Sequence, residues 1–166
     1  MTPSHHVPRL LHDEHLATIQ VLETLESRLL GAYRHAPPDP AEPEVARTLR
    51  AVADALDGEV GRHFEFEEEH VFPRVAAEGD SDIVAYLTEE HAAIRPLAED
   101  VVRSARAAAA DGFDAAAWAR FRPLGLELVE RLVSHIQKEE MGLLPVLDDI
   151  LDEAADRELV GHHVGS

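Results

Sequence analysis

Apolar positions recur every three to four residues along most of this chain, the period of an α-helix that buries one face. Leu10, Leu11, Leu16, Ile19, Leu22, Leu25, Leu29 and Leu30 follow that period. They predict a first helix from Arg9 to Tyr33, with Pro8 suited to its first turn and Gly31 weakening its end. Residues 35–43 read HAPPDPAEP, and four prolines in so short a run exclude a helix and predict a stiff connector. Val45, Leu49, Val52, Leu56 and Val60 form the stripe of a second helix, from Glu44 to Pro73. Gly79-Asp80-Ser81-Asp82 reads as a glycine stop followed by a serine cap. A third helix is expected from Asp82 to Ala110, kinked at Pro96, and a fourth from Asp114 through Leu151, kinked at Pro123. Glu153 to Val160 adds a short helix, and His162-His163 belongs to a loose tail. Four long helices joined by short turns predict an all-α, up-down-up-down four-helix bundle over residues 9–151, within a single domain covering 1–166.

Composition agrees with that reading and narrows the chemistry. The 166 residues are 45% hydrophobic, dominated by Ala and Leu rather than by the β-branched and aromatic residues that favour sheets. A formal net charge of −18 argues against nucleic acid phosphates or an anionic membrane surface as partners and favours a cation. With no Cys, disulfides, thiolate ligands and cysteine nucleophiles are excluded together, so any metal has N and O ligands. The first residues lack a signal-peptide pattern and no window is apolar enough to span a membrane, so the expected location is cytoplasmic.

Two stretches carry the same skeleton, H-x-x-x-E-E-x-x-h-h-P: His63 to Pro73 and His135 to Pro145. On a helix, positions i and i+4 share a face one turn apart, so each copy aims an imidazole and a carboxylate in one direction. Upstream of each copy stands an acid-Glu-His triplet, Asp13-Glu14-His15 and Glu89-Glu90-His91, as in two helical hairpins of one design. Register tests whether the four His can meet. His15 and His63 lie 18 and 19 residues from the first turn (Tyr33, Glu44), and His91 and His135 lie 19 and 21 from the third (Ala110, Asp114). Across the second turn, His63 lies 10 residues before Pro73 and His91 lies 9 after Asp82. All four therefore fall in one layer, with Glu67 and Glu139 one turn away on the same faces. Four imidazoles and two carboxylates exceed a closed tetrahedral zinc site and suit two metal ions, each taking two His with the carboxylates bridging. Imidazole plus carboxylate favours iron, with manganese or zinc the lesser fits.

The remaining polar groups read more plainly. His5, His6, His162 and His163 are tail residues, His12 faces solvent, and Glu68, Glu69 and Glu140 form an acidic face beside the site. Phe113, Trp118 and Phe121 are core residues far from the His layer. Glu59 and Arg131 stand four residues before His63 and His135 and either form an interior ion pair above the metals or flank the core.

These residues resemble the hemerythrin-like family, also called the HHE cation-binding domains, from His15 to Pro145. In that family one helix supplies a single His, the second an H-x-x-x-E pair, the third one or two His, and the fourth a His with an acid four or five residues later. The resemblance implies that His15 and His63 hold one iron, that His91 and His135 hold the other, and that Glu67 and Glu139 bridge them, with an oxo or hydroxo bridge between the irons. It also implies a small-molecule ligand, oxygen, peroxide or nitric oxide, and a reductant. The resulting activity is either catalase-like or oxidase-type chemistry, or non-catalytic oxygen binding, redox sensing or iron handling.

The departure is on the third helix, where reversible oxygen binders have H-x-x-x-H and this chain reads His91-Ala92-Ala93-Ile94-Arg95. Arg stays protonated and has no acceptor, so it cannot ligate a cation. The position is then open or taken by a substitute, for which His70 is the first candidate and Glu140 and Glu68 are less well aimed. Arg95 either pairs with one of those acids or orients an anionic ligand such as peroxide. The change favours reactive chemistry over oxygen carriage.

Overall fold

A computed structural model of the chain describes residues 2–31, 34–39 and 41–165; Tyr33, the expected end of the first helix, and Pro40 of the connector lie outside them. Helix α1 spans His6–Leu30, starting three residues before the expected Arg9. Its early start has a tertiary cause. The amides of Ser4 and His5 donate to Asp148, and those of His6 and Val7 donate to Asp156, so acids distant in sequence cap the free N–H groups of the first turn.

The second helix, α2, is the run 43–77. It is α-helical over Pro43–Gly58, Phe64–Phe66 and Phe72–Ala77, and widens into π-turns over Glu59–His63 and Glu67–Val71. Helix α3 spans Ser81–Asp111 and continues through Pro96. Helix α4 is the run 115–150, with a π-turn over Glu139–Leu143 between α-helical Ala115–Lys138 and Leu144–Ile150. Pro123 lies inside the first of these segments.

The π-turns at 67–71 and 139–143 come just before Pro73 and Pro145 for one physical reason. A helical proline has no N–H to donate and crowds the carbonyl four residues back, and one extra residue in the turn relieves both problems. The amides of Phe72 and Leu144 accordingly reach back to the carbonyls of Glu67 and Glu139. Pro73 therefore does not end α2, as the sequence pattern implied, and the helix runs on to Ala77.

Between α2 and α3 the chain turns at Gly79, whose φ of 110° is a left-handed value that favours glycine. Asp80, not Ser81, occupies the cap position of α3, and its side chain makes no capping bond. Asp114 caps α4 by accepting from the Ala117 amide. The final helix, α5, spans Glu153–Gly165, so the stretch expected to be loose is helical. It packs back against α1.

Helices α1 and α3 each pack against both α2 and α4, and the bundle has the expected up-down-up-down order. Its interior comprises two apolar cores. One, with Leu22, Leu25, Leu56, Phe64, Ile94, Trp118, Phe121 and Leu132, fills the end near the 112–114 turn. The other, with Leu11, Phe66, Phe72, Leu87, Leu143, Leu147 and Leu159, fills the opposite end. The buried stripe of α1 is narrower than its apolar pattern, since Leu16 and Leu30 are exposed. Among the described residues, no helix is long and apolar enough to cross a membrane.

Candidate metal centre

Between the two cores lies a polar layer. His15, His63, His91, His135, Glu67 and Glu139 are all buried there, one His from each of the four long helices. The register of the turns brings them to one height, and the H-x-x-x-E spacing places each Glu beneath its own His. The Nε2 atoms meet in pairs, His15 with His63 at 3.1 Å and His91 with His135 at 3.0 Å.

The two carboxylates lie between these pairs. Glu139 presents Oε2 to His15 at 3.0 Å and Oε1 to His135 at 2.9 Å and His91 at 3.6 Å. Glu67 presents Oε1 to His63 at 3.1 Å and Oε2 to His91 at 3.3 Å. All four of these oxygens are buried without a hydrogen bond that meets full geometry. Buried polar atoms left this way are costly in the absence of a ligand. Here the lone pairs of carboxylate and imidazole converge on shared space, which fits a cation. Two sets of four donors result, His15, His63, Glu67, Glu139 and Glu67, His91, His135, Glu139, with both carboxylates common to the two.

Each imidazole is held from behind by a further Glu. His15 Nδ1 bonds Glu140 at 2.6 Å, His63 Nδ1 bonds Glu14 at 2.6 Å, His91 Nδ1 bonds Glu68 at 2.8 Å and His135 Nδ1 bonds Glu90 at 2.9 Å. A carboxylate on Nδ1 keeps the proton there, turns the Nε2 lone pair inward and raises the basicity of the ring. The pattern repeats in the two halves of the chain: Glu14 and Glu90 precede a layer His, and Glu68 and Glu140 follow a layer Glu. The duplicated triplets and the acidic face are visible in the sequence, but which ring each of these four acids holds is not. A clue was the recurrence of Glu-His and Glu-Glu in both halves.

Burial disfavours charge on these rings, yet the carboxylates around them prevail. His15 is raised to about 9, mainly by Glu139 and Glu140. His91 also rises to about 9, through Glu139 and Glu67. His63 and His135 move in the same direction. Burial pushes Glu139 up, but contact with His135, His15 and His91 holds it well below the usual carboxylate range. Without a metal, protons therefore supply the positive charge the carboxylates demand.

Arg95 is turned to Glu68, with Nη1 at 2.9 Å from Oε1. It lines a surface cleft with Glu65, Glu68 and Glu69. Of the two roles open to it, the geometry has the acid pairing: it bears on His91 through Glu68. His70 is not brought into the layer. Its ring stacks on His162 at 4.2 Å and 12°, so the substitute expected for a fifth His is absent from the cluster. Glu140 and Glu68 likewise hold rings from outside the two donor sets. The other expectations corrected here involve the supposed surface and tail. His12 shares Glu140 with His15, at 2.8 Å. His5 and His6 pair with Asp148 and Asp156, and His163 bonds Glu14 at 2.7 Å. Arg131 is exposed and paired with Glu127, so the interior ion pair with Glu59 does not form.

The profile of the hemerythrin HHE cation binding domain matches residues 6–147. The chain belongs to the hemerythrin HHE family. That membership makes it a helical protein of a cation-binding family, and the two donor sets are groups of side chains close enough together to hold a metal ion. No curated protein matches the chain.

Proposed function

We propose that this HHE domain is a non-haem di-iron protein that binds and activates oxygen, peroxide or nitric oxide. The observation carrying the reading is the split of each bridging carboxylate: Glu67 and Glu139 each turn one oxygen to each His pair. His15 with His63 would hold one ion and His91 with His135 the other. Six N and O donors, four of them imidazole, favour iron over the hard cations that prefer all-oxygen sites. Bound iron supplies one-electron redox chemistry and a position for a small ligand.

The chain's own residues do the rest. Glu14, Glu68, Glu90 and Glu140 hold the four rings in one tautomer, so the donor set is preorganised. Phe64 lies flat on His91 at 3.7 Å and closes the layer on one side, and Phe72 packs near the same ring at 5.3 Å. The apolar cores above and below keep bulk water away. Approach is from the side of His63 and Glu59, where a cleft of about 280 Å³ is also lined by Glu14, Thr18, Arg62 and His163. With Arg95 given to Glu68 and His70 outside, no fifth imidazole among the described residues joins the donor sets, which supports reactive chemistry over reversible carriage.

Anaerobic loading with ferrous iron, elemental analysis and exposure to hydrogen peroxide test this. Two irons per chain and catalytic peroxide loss, or oxidation of an added reductant, are expected. Two irons with a stable, reversible oxygen adduct and no turnover would replace activation by carriage or sensing, and no stoichiometric iron would overturn the di-iron reading.

A further inference from the structure

The two halves of the centre match residue for residue until Glu59. His15 corresponds to His91, His63 to His135, Glu67 to Glu139, Glu14 to Glu90 and Glu68 to Glu140: Glu14 holds His63 and Glu90 holds His135 within one half, while Glu140 holds His15 and Glu68 holds His91 across the two. The counterpart of Glu59 is Arg131, which is exposed, and the counterpart of Thr18 is Ile94, which is part of an apolar core. Only the first half therefore carries an extra inward carboxylate. The backbone differs as well, since Glu59–His63 forms a π-turn while 131–135 remains α-helical.

Glu59 is 4% exposed. Its Oε2 accepts from Thr18 Oγ1 at 3.0 Å. Its Oε1 is buried with no hydrogen-bond partner and lies 3.8 Å from His63 Nε2. A carboxylate oxygen in that condition is expensive, and the second carboxylate nearby, Glu67, makes it more so. Around a six-coordinate ion with bonds of about 2.1 Å, donor atoms lie about 3 Å apart when adjacent and about 4.2 Å when opposite. The His63 separation falls within that span; Glu59 is not among the four donors that already lie within 4.8 Å of one another, so it closes on an ion by a movement of its side chain. Thr18 fixes the second oxygen and thereby the direction of the first.

On the di-metal reading above, we propose that Glu59 Oε1 is a further metal ligand, belonging to the His15/His63 position alone. The two positions are then unequal. The first draws two imidazoles, the shared carboxylates and a carboxylate of its own, so it binds more tightly and fills first. The second has only two imidazoles and the shared carboxylates, and is the less saturated of the two.

Cobalt(II) added to the metal-free protein provides the test, followed by calorimetry and the visible d–d bands. The wild type should take up two ions with distinct affinities. Glu59→Gln should weaken the tighter position at least tenfold, change the bands of the first equivalent and leave the other position in place. Glu59→Gln should also gain fewer degrees of melting temperature on loading than wild type does. Thr18→Val, which leaves the carboxylate but removes its donor, should fall between the two. Two cobalt ions bound by Glu59→Gln with wild-type affinities and bands would overturn the assignment of Glu59 alone. A wild-type protein that binds no cobalt would overturn the di-metal reading together with it.

Discussion

At the scale of single residues, the centre depends on what each carboxylate is shared between. Glu139 contacts three layer His, while His135 belongs to one donor set. Glu139→Gln should therefore lower the metal content at both positions, whereas His135→Ala should lower it chiefly at one; elemental analysis after desalting separates the two outcomes. Glu140→Gln removes the group behind His15, which also bonds His12, and should cost about 10–100-fold in affinity, measured by competition with a chelator, with the fold intact. Protonation follows the same contacts. His15 and His91 are raised from 6.5 to about 9, so the folded metal-free state binds these protons more tightly than the unfolded chain does. The resulting stabilisation is complete below pH 6.5 and is lost as pH rises to about 9. The metal-free protein should accordingly melt lower at pH 9 than at pH 6.5. Metal uptake at pH 7 should release protons into an unbuffered solution, because the ions displace them. Equal melting temperatures at the two pH values, measured in chelator, would contradict the assigned charge states.

At the scale of elements, the N-terminus of α1 and the C-terminal helix α5 act as one unit. Asp156 is buried and accepts the His6 and Val7 amides together with the His6 ring. Burial pushes its carboxyl up, but those three donors hold it below the ordinary aspartate value. Asp156→Ala leaves buried donors without an acceptor and should cost about 2–3 kcal/mol in denaturant unfolding. The other end of α5 carries His163 to Glu14, the group that holds His63. Loss of α5 packing should therefore disturb the centre as well as stability. The apolar pattern alone could not reveal this, because α5 is held by polar groups more than by an apolar stripe, and its partners are some 150 residues away in sequence. The paired π-turns were equally hidden: the fourth helix was expected to run past Pro145, but the second was expected to end at Pro73, because a helix that widens and continues can look, in sequence, like one that stops.

At the scale of the whole molecule, the bundle places carboxylates in its core whose charge a bound cation, or protons on the His rings without one, would balance. Metal should thus be a folding ligand as well as a functional one. Saturation at about 100 times the dissociation constant adds about 2.7 kcal/mol per independent position. Loading should raise the melting temperature, and chelator should reverse the rise. The four helices, their order and the layer of four His with Glu67 and Glu139 were legible in the residues, because helical periodicity and turn register are local arithmetic that a repeated motif doubles. The sequence by itself determined which donors the centre offers and the height at which they meet. Only the tertiary structure decided which acid stands behind which ring, that Arg95 and His70 lie outside the donor sets, and that Glu59 is buried beside His63 while Arg131 reaches solvent. Those facts depend on which way side chains turn between neighbouring helices, a choice made by packing across the bundle and not by spacing along the chain.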